Sequence, residues 1–225
     1  LGERHLGVSS ASNTTALVRD GVLEFTAAWP GTNVAGRARL TTRFEVEPRS
    51  GDLRITQSGA ASELGLYGAS WGIADIPDDF EVLMPGSSGQ RFGPDAPQGR
   101  REFDYPMLWE APFVLIQGRA GGFVIRAEDP EYRFKNLVVE RSRRFFRLRF
   151  ESRNLAPFED QSRLESSRWR LTAYRGPWQN GADLYRRWAE TRFALVPVEH
   201  RQPAWARDIR FVVIMNLDRA LLSAL

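Results

Sequence analysis

The sequence predicts a mainly β protein: a large antiparallel β-sandwich, followed by one helix and one further strand. Three patterns carry this. From about residue 14 to residue 175, short stretches of period-two hydrophobic alternation succeed one another, separated by glycine, proline and aspartate. At Gly176-Pro177-Trp178 the period changes to helical. Near the end, residues 209–215 form an almost unbroken apolar run, IRFVVIM.

The strands follow in order. Residues 14–18 and 22–29 flank Asp20-Gly21, a pair suited to the positive φ angles of a tight hairpin turn. Residues 38–46 place Leu40, Thr42, Phe44 and Val46 on one face. Ser50-Gly51-Asp52 interrupts the chain, and 53–56 resumes it. Residues 112–117 and 123–127 form a second hairpin across a Gly-Arg-Ala-Gly-Gly turn. Residues 136–140 and 145–151 form a third, with Phe146, Leu148 and Phe150 inward and Arg147 and Arg149 outward. Trp169, Leu171 and Ala173 continue the alternation. Residues 85–106, with several glycines and prolines, read as a long irregular loop, and loops of that length in a compact domain are commonly functional. In 181–193, Leu184, Tyr185, Trp188 and Ala189 fall on one helical stripe.

Composition narrows the function classes. The 225 residues are 42% hydrophobic and 26% charged, ordinary for a globular protein. Without cysteine, neither a disulfide framework nor a thiolate metal site can form. The two histidines, His5 and His200, lie far apart, and the acids Asp75, Asp78 and Asp79 lack the spacing of a calcium loop, so no metal and no cofactor is expected. No stretch reaches the ~18 apolar residues of a membrane span. Net charge is +3, and Lys135 is the only lysine. The arginines are dispersed among acids; the densest group, Arg141, Arg143, Arg144, Arg147 and Arg149, falls on one hairpin and reads as a solvated strand face. No nucleic-acid-binding module accompanies it. An extracellular or periplasmic location is the expectation, and the N-terminus LGERHLGVSS lacks the apolar centre of a signal peptide.

Three segments together resemble the N-terminal β-supersandwich (galactose-mutarotase-like) domain of multidomain glycoside hydrolases. The first is DDFEVLMPGSSG, residues 78–89, similar to a strand and glycine-rich loop of such domains. The second is Tyr105-Pro106-Met107-Leu108-Trp109, followed by GGFVIRAEDP at 121–130 and by Lys135. The third is Gly176-Pro177-Trp178 with ADLYRRWA at 182–189, similar to the helix that leads into a catalytic (β/α)8 barrel, and Pro203-Ala204-Trp205 is similar to the barrel entrance. The endo-α-N-acetylgalactosaminidase-like and α-galactosidase-like enzymes carry this order of landmarks. The resemblance implies a supersandwich over 1–175, a linker helix and loop over 176–200, and the start of a truncated catalytic barrel over 201–225. It also implies a carbohydrate partner and a barrel in cis.

Sugar sites pair aromatic faces with carboxylates and arginines that bond hydroxyls. On that basis Trp71, Asp75, Asp79, Arg91, Asp104, Tyr105, Trp109 and Glu110 are the candidate substrate-binding residues, with core aromatics and turn acids as the alternative. Trp178, Tyr185 and Trp188 are expected to pack the helix between domains. Asp129 and Lys135 are expected to form a surface ion pair. No catalytic residue is expected here: glycoside hydrolysis needs two carboxylates across the scissile bond. Asp218 alone follows the apolar strand, and a barrel contributes its acids from several strands. Mutarotation needs an acid and a base across the ring, and neither histidine falls within the sandwich strands. A stand-alone carbohydrate-binding module and a structural sandwich without sugar affinity are the other readings.

Overall fold

The computed structural model describes residues 5–31, 36–86, 88–196 and 205. Among these, fourteen strands form two sheets. In chain order they are β1 (Asn13–Arg19), β2 (Val22–Trp29), β3 (Ala38–Val46), β4 (Leu53–Ala61), β5 (Gly68–Pro77), β6 (Glu81–Met84), β7 (Gln90–Phe92), β8 (Gly99–Tyr105), β9 (Phe113–Gln117), β10 (Gly121–Ala127), β11 (Lys135–Arg141), β12 (Phe145–Arg153), β13 (Arg163–Glu165) and β14 (Trp169–Arg175). Helix α1 spans Trp178–Phe193. The large sheet runs β1-β2-β3-β4-β14-β10-β9-β6-β7, with β13 also paired to β4; the small sheet runs β5-β12-β11-β8. All pairings are antiparallel.

The three anticipated hairpins are present. Asp20 and Gly21 both take positive φ, 50° and 77°, which the β1–β2 turn requires. The stretch expected to be an irregular loop over 85–106 instead contains β7 and β8. Their sequences, Gln-Arg-Phe and Gly-Arg-Arg-Glu-Phe-Asp-Tyr, show little alternation, because Arg91, Arg100, Arg101 and Glu102 are exposed. In β5 an extra residue opposes β12: Ile73 pairs with Leu148 and Ile76 with Phe146. Asp75 sits in this bulge at φ 57°, a left-handed conformation that aspartate tolerates better than most residues.

The core lies between the sheets. Ile55, Val82, Val114, Ile116, Ile125 and Trp169 come from the large sheet, and Trp71, Leu137, Val139, Phe146, Leu148 and Phe150 from the small one. Each alternates along its strand with an outward residue, so the anticipated inward set Phe146, Leu148, Phe150 is observed, each fully buried. Aromatic rings form the centre. Trp169 stacks on Trp109 at 6.2 Å between centroids, meets Trp71 edge-on at 6.0 Å and lies 5.1 Å from Phe150. Buried indole N–H groups need acceptors: Trp169 Nε1 donates to Ser152 Oγ at 3.1 Å, and Trp109 Nε1 to Phe113 O at 3.1 Å.

Beyond β4 the large sheet outgrows the small one. Every residue of β1 is exposed, and only Phe44 of β1–β3 packs against the central cluster. The other face of the large sheet receives α1. Tyr185 stacks on Phe113 of β9 at 4.6 Å. Gly181 comes so close to Tyr174 and Leu115 that a Cβ there would lie 2.5 Å and 2.7 Å from their ring and methyl carbons. Burial raises the Tyr174 phenol to about 12 and also raises that of Tyr185. Residues Leu1–Trp188 make up one compact unit and Ala189–Leu225 a second. The strand expected over 209–215, and Asp218 and His200, lie outside the described residues.

Candidate functional site

The anticipated sugar-binding residues do not converge. Trp71, Tyr105 and Trp109 are core residues, 9%, 8% and 0% exposed, so their rings have no open face for a pyranose. Aromatics next to acids suit a sugar platform, but the core of a sandwich needs large rings even more. Asp75 occupies the bulge in β5, and Asp79 the turn after it, where Phe80 N donates to Pro77 O. Both belong to the end of the small sheet opposite Tyr105, since Pro77 pairs with Phe145 whereas Tyr105 pairs with Lys135. Arg91 is exposed on β7, its guanidinium 2.5 Å from Glu81. Glu110 is exposed beside the Pro85 carbonyl, which its backbone N–H meets at 2.9 Å.

Asp104 is the candidate held in a polar group. Its Oδ1 accepts from Asn136 Nδ2 at 3.0 Å and from Arg153 Nη2 at 2.7 Å. Arg153 also reaches Glu151 at 3.2 Å and lies over the Tyr67 ring at 5.2 Å. These residues share the outward face of the small sheet at the end where β5 starts and β8 ends.

Just inside that end is the Lys135–Asp129 pair. The expected surface ion pair is an interior one: Nζ lies 2.5 Å from Oδ2, and both side chains are 0% exposed. The reason is topological. Residues 128–134 carry the chain from β10 in the large sheet to β11 in the small one, across the end of the core. Asp129 accepts the backbone N–H groups of Glu131 at 3.1 Å and Arg133 at 2.9 Å, and faces the Arg133 guanidinium at 3.3 Å. Lys135 also donates to Arg133 O at 2.6 Å and lies 4.9 Å from the Tyr105 ring centre. Burial alone would raise the Asp129 carboxyl; Lys135, Arg133 and the Glu131 N–H outweigh it and hold the acid below the usual carboxylate range.

A second polar group, on the outer face of the large sheet, was not anticipated. Cross-strand register aligns Arg54 of β4, Arg170 of β14 and Arg126 of β10 in one row. The turn between β3 and β4 brings Glu47 and Asp52 to it, and Glu128 follows β10. Arg170 meets Glu47 at 2.7 Å, Asp52 at 2.8 Å and Glu128 at 2.7 Å. Arg126 meets Glu128 at 3.1 Å and Thr172 Oγ1 at 3.2 Å, and Arg54 pairs with Glu47. Burial opposes the charge on both Arg126 and Arg170. It prevails at Arg126, whose pKa is lowered; at Arg170 the carboxylates prevail and raise it. Beside this row is a cleft of ≈ 210 Å³ lined by Arg43, Glu45, Arg54, Thr56 and Arg168. One signal in the sequence points here: Arg126 interrupts an otherwise apolar strand, Phe-Val-Ile-Arg-Ala, where a guanidinium must find acids.

The small Trp178, Tyr185, Trp188 group divides. Tyr185 packs on the sandwich and lies 5.6 Å from Trp188, while Trp178 at the helix start is 44% exposed. The helix is tethered by Gln117, whose Nε2 donates to Gly176 O at 3.2 Å and whose Oε1 accepts from Tyr174 at 2.8 Å.

No protein-family model matches the chain, and no curated protein matches it. Solved structures do. The ligand-free α-N-acetylgalactosaminidase NagBb from Bifidobacterium bifidum aligns with TM-score 0.58 and 10% identity, over 83% of this chain and 32% of that one. An α-galactosidase from Lactobacillus brevis aligns with TM-score 0.50 and 8% identity, over 84% and 28%. A variant of the GH36 α-galactosidase AgaA from Geobacillus stearothermophilus, in complex with stachyose, aligns with TM-score 0.50 and 10% identity, over 84% and 29%. The chain therefore has the β-sandwich fold found within these glycoside hydrolases, and it spans about a third of their length.

Proposed function

We propose that this chain is a non-catalytic sandwich domain of a larger glycoside hydrolase, one that packs against a catalytic barrel and helps shape the binding of carbohydrate. The observation that carries the reading is the alignment of 83% of the chain onto only 32% of an α-N-acetylgalactosaminidase, which leaves most of that enzyme outside the shared fold. The chemistry of the sandwich agrees. Hydrolysis of a glycosidic bond calls on one protonated and one ionised carboxyl group, about 5–9.5 Å apart across the sugar. Here the carboxylates near polar clusters are bound to cations: Asp129 to Lys135, Asp104 to Arg153, Glu128 to Arg170 and Glu81 to Arg91. Asp129, held below the usual carboxylate range by Lys135 and Arg133, makes a poor proton donor. The polar groups that remain accessible, Asp104 and Glu110 at one end and the arginine cleft on the large sheet, suit recognition of hydroxyls and charged substituents.

The test has two arms. The 225-residue chain is assayed for turnover of nitrophenyl α-galactoside and α-N-acetylgalactosaminide, and the coding sequence is read past residue 225. The expected result is no turnover, with about 250 further residues of alternating strand and helix pattern. Turnover by this chain itself, or a coding sequence that stops at residue 225, overturns the proposal.

A further inference from the structure

The outer-face cleft carries an inference about which carbohydrates are recognised, and it rests on the reading that the partner is a carbohydrate. Three of its five lining side chains are guanidiniums, Arg43, Arg54 and Arg168, against one carboxylate, Glu45, and one hydroxyl, Thr56. Two of the three are only partly satisfied. Arg168 is exposed, and its side chain has neither a hydrogen bond nor an ion pair among the described residues. Arg54 pairs with Glu47 through Nη2, but its buried Nε has no acceptor among the described residues. Arg43 reaches Glu45 at 3.5 Å and keeps about half of its side chain exposed. Arg43 and Arg168 are the guanidiniums a ligand can reach, and arginine makes its strong charge-assisted bonds to carboxylates.

The cleft is also prepared for its ligand. Arg54 and Thr56 project from the same strand, with Arg43 directly across from Thr56 on β3 and Glu45 across from Arg54. Glu47 fixes Arg54 from one side and also pairs with Arg170, which Asp52 and Glu128 hold in turn. Among the described residues no aromatic ring lines the cleft, so the stacking that selects neutral sugars has no platform there. At ≈ 210 Å³ it falls below the ~300–1,000 Å³ of drug-sized pockets and suits a single ring.

We infer that this cleft binds the carboxylate of an acidic sugar, a uronic acid unit, through Arg43, Arg54 and Arg168. Selection is by charge: the carboxylate supplies the partner that Arg168 lacks and that the exposed half of Arg43 can share, and Thr56 is placed for a ring hydroxyl.

The test titrates the full chain, at low salt, with methyl galacturonate, methyl galactoside and sodium acetate, following arginine Nε–H resonances by NMR. The expected result is that galacturonate binds at least tenfold more tightly than either of the others and shifts the Arg43 and Arg168 resonances. Arg168→Ala and Arg43→Ala should each weaken it by tenfold or more with the thermal midpoint unchanged. Equal affinity for the galactoside, equal affinity for acetate, an absence of galacturonate binding, or undiminished binding by Arg168→Ala overturns the inference. The domain proposal is decided by turnover and by the coding sequence, so the two failures are read separately.

Discussion

Lys135 and Asp129 close the end of the sandwich with their charges 2.5 Å apart and no solvent at either side chain. Because Asp129 also accepts two backbone N–H groups of residues 131 and 133, the pair fixes the path by which the chain passes from one sheet to the other. Removing one partner strands the other charge in the interior. Lys135→Met is therefore expected to destabilise the protein by about 3–5 kcal/mol in urea denaturation. Replacing both, as Lys135→Met with Asp129→Leu, should cost less than the single change. An equal or larger loss in the double variant would show that the backbone contacts of Asp129, and not the charge pair, dominate.

The same carboxylate sets an acid limit. Its pKa in the fold lies below its value in the unfolded chain, so its contribution is complete above the unfolded pKa of about 3.9 and is lost as pH falls through the folded value. Stability measured by urea midpoint should decline below about pH 4. Asp129→Asn, already weakened at neutral pH, should show a flatter decline over the same range.

Ser152→Ala tests the aromatic centre. It deletes the acceptor of Trp169 Nε1 in a site where both residues are buried. A buried donor left unsatisfied costs about 1–3 kcal/mol. Denaturant unfolding should report a loss in that range, with Trp169 fluorescence altered in the native state; a change under about 0.5 kcal/mol would indicate that water replaces the hydroxyl.

Gly181 tests how α1 is seated. Glycine disfavours a helix by about 1 kcal/mol relative to alanine, yet it stands where Tyr174 and Leu115 allow no side chain. Gly181→Leu is expected to lift α1 from the sheet. Hydrogen exchange should then lose protection in residues 178–188 while β11 and β12 retain theirs. Unchanged protection in α1 would mean that Tyr174 and Leu115 can move aside.

Much of the fold could be read from the sequence because the buried strands alternate cleanly. The bounds of β2 and β3 match the expected 22–29 and 38–46, and β12 shows its inward phenylalanines and leucine. β7 and β8 leave little trace in the sequence because they lie at sheet edges with exposed arginines and Glu102, where no periodicity is imposed. The candidate site was less legible. Trp71 and Trp109 look the same in sequence whether they bind sugar or fill a core, and only the packing around Trp169 distinguishes the two. Arg54, Arg126 and Arg170 are separated by up to 116 residues and are aligned solely by cross-strand register. Long-range pairing of that kind leaves no local trace.

The exposed β1 at the margin of the large sheet sets the order in which the structure comes apart. Every residue of β1 is exposed, and among the described residues neither β1 nor β2 joins the central cluster, so the hairpin gains little from it. Mild heating or a protease should unzip this flap first, at Arg19 beside the turn, and leave a trimmed yet cooperative remnant built on β4 and the strands after it.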